Sequence, residues 1–272
     1  MKTFKGLRNF VVSFCILILL WQVVYWTTDV NKELFPSPES AFRALKGMIV
    51  DHSLAKNVGA SMTRFMIGYC SSSLVAVVLG LTLGVLPRVF QFVNPIAQLL
   101  RPISPTAWSP FLVLWMGIGD VSATVVVAVA AFFPVLLSTV SAVVNVDPIY
   151  FKVAKNFGVR QPYAMWKIVF PAAFPMIANG LHTALGSAWI FLVAGEMLGV
   201  KTGLGFMIVD ARQEIRPDAI LATIFVIGVL GLALDAGLKV LEKLALWLLG
   251  GGGSFSDLVA EFRTQDRARR AS

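Results

Sequence analysis

Six long apolar runs constrain what this chain can fold into more than any other feature of its sequence. A helix needs about 20 apolar residues to cross the hydrocarbon core of a bilayer. Because 57% of the residues are hydrophobic and only 14% are charged, most helix faces have no polar side to show to water. The sequence therefore predicts an all-α polytopic membrane protein with six transmembrane helices, at about 11–28, 62–87, 97–118, 121–146, 174–199 and 218–249.

The first apolar run follows basic residues, as the apolar part of a signal peptide does. No small-residue cleavage site follows this run, and Trp21, Tyr25 and Trp26 form an aromatic belt of the kind found at membrane interfaces. We therefore expect the run to be a retained membrane anchor.

The net charge of +8 is explained by topology and not by nucleic-acid binding, because no basic patch is interleaved with stacking aromatic residues. Segments rich in lysine and arginine stay in the cytoplasm. These segments are the amino terminus, the second–third and fourth–fifth connections and the tail, with Lys2, Lys5, Arg8, Arg88, Arg101, Lys152, Lys155, Arg160, Lys167, Arg263, Arg267, Arg269 and Arg270. Both termini are predicted to be cytoplasmic, as an even number of spans requires.

The apolar runs define one transmembrane domain over residues 1–249, with a cytoplasmic loop at about 147–172. In the first connection, apolar residues at helical spacing after Phe35-Pro36-Ser37-Pro38 predict a short surface helix. The glycines that start at Gly250 have the composition of a flexible linker. Residues 250–272 are therefore expected to form a linker and a basic cytoplasmic tail.

Three prolines, Pro102, Pro105 and Pro110, interrupt the third apolar run. Proline removes a helix donor, and freed carbonyls at membrane depth are tolerated only where protein or a water-filled cavity receives them. This segment is therefore expected to line the translocation path, with candidate polar groups at Ser104, Thr106 and Trp108. Alternatively, these side chains satisfy the broken backbone.

The fifth run carries His182, Trp189 and Glu196 at intervals of seven residues, which puts them on one helix face. Ionisable groups inside a membrane face a bundle interior or a cavity, so this stripe is a second candidate for the path, facing the proline-broken third span. Core packing of His182 and a structural hydrogen bond of Glu196 to the following loop are the alternatives. His182 and Glu196 lie about 21 Å apart, so they cannot form one ligand site.

The cytoplasmic connection contains a short amphipathic segment. Tyr150, Phe151, Ala154 and Phe157 fall near one face, and Gly158 suits a helix end. An apolar face on a cytoplasmic loop must lie at the membrane interface or dock into another protein.

In this connection, Ala154, Gly158, Ile168 and Phe170-Pro171 have the spacing of the Glu-Ala-Ala loop, and the segment resembles that loop of bacterial ABC importer permeases. Lys152 and Val153 stand at the first two positions of the triplet. Further motifs are similar to the nitrate, sulfonate and taurine branch of that family, namely Gly59-Ala-Ser61-Met-Thr-Arg64, Arg101-Pro-Ile-Ser-Pro-Thr-Ala-Trp108, Trp115-Met-Gly-Ile-Gly-Asp120, Ala188-Trp-Ile-Phe-Leu-Val-Ala-Gly-Glu196 and Gly203-Leu-Gly205.

The resemblance implies a type I ABC importer permease fold in a bacterial-type inner membrane. It implies a second permease copy, two cytoplasmic ATPase subunits that bind ATP and Mg, an external solute-binding protein, and a small anion such as nitrate, bicarbonate, a sulfonate or taurine as solute. The loop would dock into the ATPase through Tyr150, Phe151, Ala154, Phe157, Gly158, Ile168 and Pro171. The sequence has no Gly-x-x-x-x-Gly-Lys-Ser/Thr phosphate loop, so no cofactor and no ATPase site is expected in this chain.

Two other functions compete with this interpretation. A secondary transporter would use His182 and Glu196 as proton or ion relays. A membrane enzyme would need a catalytic motif, and none is present in the sequence. No catalytic residue is therefore predicted. Cys15 and Cys70 lack zinc-ligand spacing, so no metal ligand is predicted either.

Overall fold

The computed structural model describes residues 2–27, 35–147, 149 and 169–250. These residues form helices and no strand, which confirms the predicted all-α class. The helices are α1 Lys2–Thr27, α2 Pro38–Val50, α3 Ser53–Val85, α4 Pro87–Leu100, α5 Ser109–Met116, α6 Asp120–Val144, α7 Phe170–Glu196, α8 Leu204–Gln213 and α9 Pro217–Gly250. The predicted linker and tail beyond Gly250 lie outside the described residues.

Among the described helices, α3, α6, α7 and α9 are long and apolar enough to cross a membrane. The apolar part of α1, Ile18–Thr27, is shorter. Helix α3 begins at Ser53, well before the predicted start at 62, because its first turns carry polar residues such as Lys56 and Asn57 that an apolar pattern does not include.

The third predicted span, 97–118, is not one helix. Helix α4 ends at Leu100, a 3₁₀ turn occupies Pro105–Trp108, and α5 follows directly. Pro102 and Pro105 have no N–H to donate, and Ser104, the residue before Pro105, has extended backbone with ψ 130, so the α-helix does not continue through 101–104. The predicted break is confirmed, and it leaves non-helical backbone within the third predicted span.

Helix α6 packs against α3 on one side and α7 on the other, and this trio forms the core. Gly68, Gly80 and Gly84 lie on the face of α3 that contacts α6. A Cβ added to Gly80 would lie 2.6 Å from the Cβ of Thr139, so only glycine permits this separation of the two helices. Gly80 and Gly84 thus permit the close approach of α3 and α6.

The predicted surface helix of the first connection is also confirmed. It is α2, where Ser37 Oγ accepts the backbone N–H of Ser40 at 3.2 Å and Pro38 occupies the first turn. Its buried residues, Ala41, Ala44 and Met48, face the start of α9. Helix α2 therefore covers one end of the bundle.

Several helices present wide apolar faces that no other described helix covers. Phe92 on α4, Leu114 and Trp115 on α5, and Leu241 and Trp247 on α9 are all more than half exposed. Exposed apolar surface of this extent needs lipid or another protein against it.

Replacing Gly80 with alanine should destabilise the α3–α6 contact, since the new methyl group would overlap Thr139. We expect a loss of about 1–3 kcal/mol in the free energy of unfolding, measured by SDS titration in mixed micelles. Gly59→Ala in the same helix is the matched control, because nothing lies within 4 Å of its added Cβ. Equal effects of the two changes would contradict the close approach.

Candidate functional site

A buried charged cluster lies where α7 ends. Glu196, at the last turn of α7, is 1% exposed. Its Oε1 accepts a hydrogen bond from Arg64 Nη1 at 2.6 Å, and its Oε2 accepts the backbone N–H of Gly205 at 2.9 Å. Ser61 Oγ lies 2.8 and 2.9 Å from the two carboxylate oxygens. The carboxylate is thus enclosed by donors from α3 and α8.

Arg64 connects this carboxylate to two further elements. Its Nε and Nη2 donate to Asp120 Oδ1 at 3.0 and 2.7 Å, at the start of α6. Its Nη1 donates to the backbone carbonyl of Thr202 at 2.8 Å, and its Nη2 donates to the hydroxyl of the same residue. The side chain of Arg64 is 4% exposed, whereas that of Asp120 is 73% exposed. The guanidinium of Arg64 is therefore buried, and its partner Asp120 lies at the protein surface.

The loop between α7 and α8 is fixed to α3 by the same residues and their neighbours. Asn57 Oδ1 accepts the N–H of Gly203 at 2.7 Å, and Ser61 Oγ accepts the N–H of Leu204 at 2.8 Å. Asn57, Ser61 and Arg64 are four and three residues apart, which aligns them on one face of α3. This face of α3 supplies the polar partners that the loop needs.

Two glycines, Gly203 in the loop and Gly205 in the first turn of α8, are required by close contacts around the end of α7. Gly203 has φ +116, which side chains rarely adopt, and an added Cβ would lie 2.5 Å from Glu196 Oε1. At Gly205, an added Cβ would lie 2.4 Å from the carbonyl oxygen of Val193. The Gly203-Leu-Gly205 motif is thus explained by the Arg64–Glu196 pair.

Glu196 was a candidate for the translocation path. In the structure its two oxygens are engaged by Ser61, Arg64 and Gly205. We therefore interpret Glu196 as a scaffold residue that holds the loop, the alternative favoured by its place near the helix end.

Sequence reasoning found the carboxylate but assigned no role to its partners Ser61, Arg64 and Asp120. The position of Arg64 inside an apolar run was a usable signal, because a charged side chain at membrane depth needs a partner within the bundle. Residues Arg64 and Glu196 are 132 positions apart, and the sequence gives no spacing rule that pairs them.

The rest of the predicted stripe faces a different helix from the one expected. Trp189 is 6% exposed, its Nε1 donates to the carbonyl of Ile227 on α9 at 3.1 Å, and its ring lies edge-on to Phe65 of α3. His182 contacts Asp235 and Glu242, both on α9. The expectation that these two residues face the proline-broken segment is wrong, because spacing on α7 does not determine which helix covers that face.

The proline-broken segment carries the remaining path candidates. Ser104 Oγ and Thr106 Oγ1 share a hydrogen bond of 2.7 Å, and Ser104 is exposed. Trp108 is half-buried, and its ring lies 6.3 Å from that of Phe111. Two hydroxyls therefore lie beside non-helical backbone.

The predicted coupling residues from Tyr150 to Ile168 lie outside the described part of the chain. Pro171 is described, and it occupies the first turn of α7, where a missing N–H costs no hydrogen bond. The contacts of the coupling segment therefore remain a prediction.

A polar cavity of about 490 Å³ lies between α2, α8 and the start of α9. Charged residues of both signs line it, namely Arg43, Asp51, Asp210, Glu214, Arg216 and Asp218. Arg216 reaches Glu214 at 3.5 Å and Asp218 at 4.0 Å. Hydrogen bonds from the hydroxyl and the backbone N–H of Ser53 hold the pKa of Asp51 below its usual range. Asp51 therefore stays ionised at neutral pH.

Apolar helices with wide exposed faces, joined by a buried ion pair and close glycine contacts, define a polytopic α-helical membrane protein. The profile of one family, described as binding-protein-dependent transport system inner membrane component, matches residues 75–245. The chain belongs to this family, and it is a permease subunit of an ABC importer.

Curated relatives match over most of the chain. The taurine transport system permease protein TauC of Escherichia coli is 30% identical over 236 residues, which cover 85% of this chain and 86% of TauC. The nitrate import permease protein NrtB of Synechocystis sp. is 29% identical over 244 residues, which cover 86% of this chain and 88% of NrtB.

A solved structure has the same fold. It is a chain of the MetNI methionine ABC transporter in an inward facing conformation, with a TM-score of 0.57 and 18% sequence identity. The match covers 72% of this chain and 95% of that chain. At this identity the likeness concerns the fold alone.

Removing the cation of the buried cluster should destabilise the protein strongly, because Glu196 would remain buried without its ion-pair partner. We expect Arg64→Met to lower the free energy of unfolding by about 3–5 kcal/mol, measured by SDS titration in mixed micelles. Arg43→Met is the control, since Arg43 pairs with Glu39 in an exposed contact where both side chains face water. If Arg64→Met were as mild as the control, the cluster would not hold the fold.

Proposed function

We propose that this permease imports a small anion of the nitrate, bicarbonate, sulfonate or taurine class. The observation that carries the proposal is the match to relatives named for taurine and nitrate over most of their length. Both solutes are small and bear an oxyanion group.

The proline-broken segment suits the translocation path. Lipid cannot satisfy the non-helical backbone around 101–104, so water or another subunit must cover it. Of the hydroxyls of Ser104 and Thr106, one donates to the other, and the second O–H is a neutral donor of the kind from which an oxyanion accepts a hydrogen bond. Within this segment we therefore assign the path to Ser104, Thr106 and Trp108.

Transport is driven by partner subunits. The chain has no phosphate loop, so ATP and Mg are bound by two cytoplasmic ATPases, and the chain itself is not an enzyme. The coupling segment docks into these ATPases through Tyr150, Phe151, Ala154, Phe157 and Gly158. A second permease copy completes the path and covers part of the exposed apolar surface.

The orientation follows from the distribution of lysine and arginine, with both termini in the cytoplasm of a bacterial-type inner membrane. The polar cavity between α2, α8 and α9 then lies on the outer side. Its charges of both signs provide an entrance surface on which an external solute-binding protein docks.

Uptake by the reconstituted complex tests the solute class directly. Proteoliposomes that contain the permease, its ATPase and its solute-binding protein should accumulate labelled taurine, nitrate, bicarbonate or a sulfonate when ATP is supplied. Methionine serves as the control solute and should not be accumulated. Uptake driven by a proton or sodium gradient in the absence of the ATPase would contradict the proposal and favour a secondary transporter.

Ala154→Glu should abolish uptake, because it puts a carboxylate on the apolar face of the coupling segment at a cost of several kcal/mol if it stays unpaired. Co-purification of the ATPase with the membrane-inserted variant measures assembly, and uptake in proteoliposomes measures coupling. Ala154→Ser is the matched control and should assemble and transport. Normal assembly and normal uptake by Ala154→Glu would show that this segment is not the coupling site.

A further inference from the structure

A polar triad links α7 to α9 away from the buried Arg64 cluster. His182 Nδ1 lies 3.2 Å from Asp235 Oδ1, and His182 Nε2 lies 2.9 Å from Glu242 Oε2. The side chain of His182 is 18% exposed, and those of Asp235 and Glu242 are 38% and 27% exposed. Both ring nitrogens of one imidazole therefore face carboxylate oxygens.

The number of protons on the triad decides whether both contacts of His182 are hydrogen bonds. A neutral imidazole carries one N–H and can donate to only one carboxylate, while its other nitrogen accepts. Two ionised carboxylates have only acceptor atoms, so the second contact would bring two lone pairs together. Both contacts are hydrogen bonds only when one additional proton is present, either on the ring or on a carboxyl oxygen.

The charged side chain that pairs with the triad comes from α9. Lys239 Nζ donates to Asp235 Oδ2 at 2.6 Å, and Lys243 follows Glu242 along α9. From α3, the hydroxyl of Tyr69 donates to the carbonyl of Leu181 next to the triad. The charged residues of α3 and α6 are Lys56, Arg64 and Asp120, which lie toward the other end of the bundle.

With the proton, the charges of His182, Asp235, Lys239 and Glu242 cancel. Without it, this set carries one negative charge within a membrane-spanning helix pair, where uncompensated charge is costly.

A cavity provides a route for the proton. Its volume is about 140 Å³, and His182 and Glu242 are the ionisable residues among apolar ones that line it. The lining residues extend from the triad to Phe174 and Ala245, toward the helix ends that the topology assigns to the cytoplasm. This space is large enough for water, and His182 and Glu242 supply the polar partners that water needs there.

We propose that His182, Asp235 and Glu242 bind one proton as a unit and that its release loosens α7 from α9. The proton leaves for water in the adjoining cavity, and the two helices then lose one of the hydrogen bonds that join them. Because the three groups interact strongly, the proton belongs to the triad and not to one residue. The site makes the contact between α7 and α9 depend on pH.

Nuclear magnetic resonance of the full chain in lipid nanodiscs tests the proton count. The chain has two histidines, so His52→Gln assigns the signals of His182 and leaves the triad intact. At neutral pH we expect either both nitrogens of His182 to be protonated or one of the two carboxyl groups to carry a proton. Asp235→Asn together with Glu242→Gln should abolish this state. A neutral His182 beside two ionised carboxylates would overturn the proposal.

Spin labels test the mechanical consequence on the same full chain. With Cys15 and Cys70 replaced by serine, labels at the exposed positions Met176 on α7 and Leu244 on α9 report the separation of the helices between about pH 5 and pH 9. The separation should increase with pH in this background and in His52→Gln. It should not depend on pH in His182→Gln or in the double carboxylate variant. A separation that is constant in the parent, or that changes equally in His182→Gln, would overturn the proposal.

Discussion

The guanidinium of Arg64 lies inside a protein whose surroundings offer it no water, so it must be solvated by side chains and backbone. Glu196, Asp120 and Thr202 do this, and each comes from a different element. As a result, one residue of α3 joins the end of α7, the start of α6 and the loop before α8. The geometry at this end of the bundle depends on that single cation.

The close contacts elsewhere in the bundle complement this cluster. Glycines on α3 let the backbones of α3 and α6 approach closely, and α6 also packs against α7. These three helices therefore form one packed unit. By contrast, α4, α5 and α9 keep wide apolar faces open to lipid or to partner subunits.

Much of the fold follows from the sequence because the bilayer imposes simple rules. Apolar runs gave the long helices, Pro102 and Pro105 indicated the break after α4, and Pro38 after Ser37 indicated the start of α2. The pairing of distant groups does not follow from such rules. The spacing of His182, Trp189 and Glu196 fixed their common face on α7, but only packing decides that the first two meet α9 and the third meets Arg64.

The two polar sites of α7 differ in what they can do. At Glu196 the carboxylate is enclosed and fully engaged, which suits a fixed support. At His182 the triad is partly exposed and adjoins a cavity, which suits a group that exchanges a proton. The same helix thus carries a fixed attachment near one end and a pH-dependent contact near its middle.

A double-mutant cycle between Arg64 and Glu196 tests most directly whether their ion pair holds this end of the bundle. The free energies of unfolding of Arg64→Met, Glu196→Gln and the double variant would be measured by SDS titration in mixed micelles. If the two residues compensate each other's buried charge, the double variant is more stable than the sum of the single effects requires, with a coupling of about 0.5–3 kcal/mol. Effects that add within about 0.5 kcal/mol would contradict the central role of this pair.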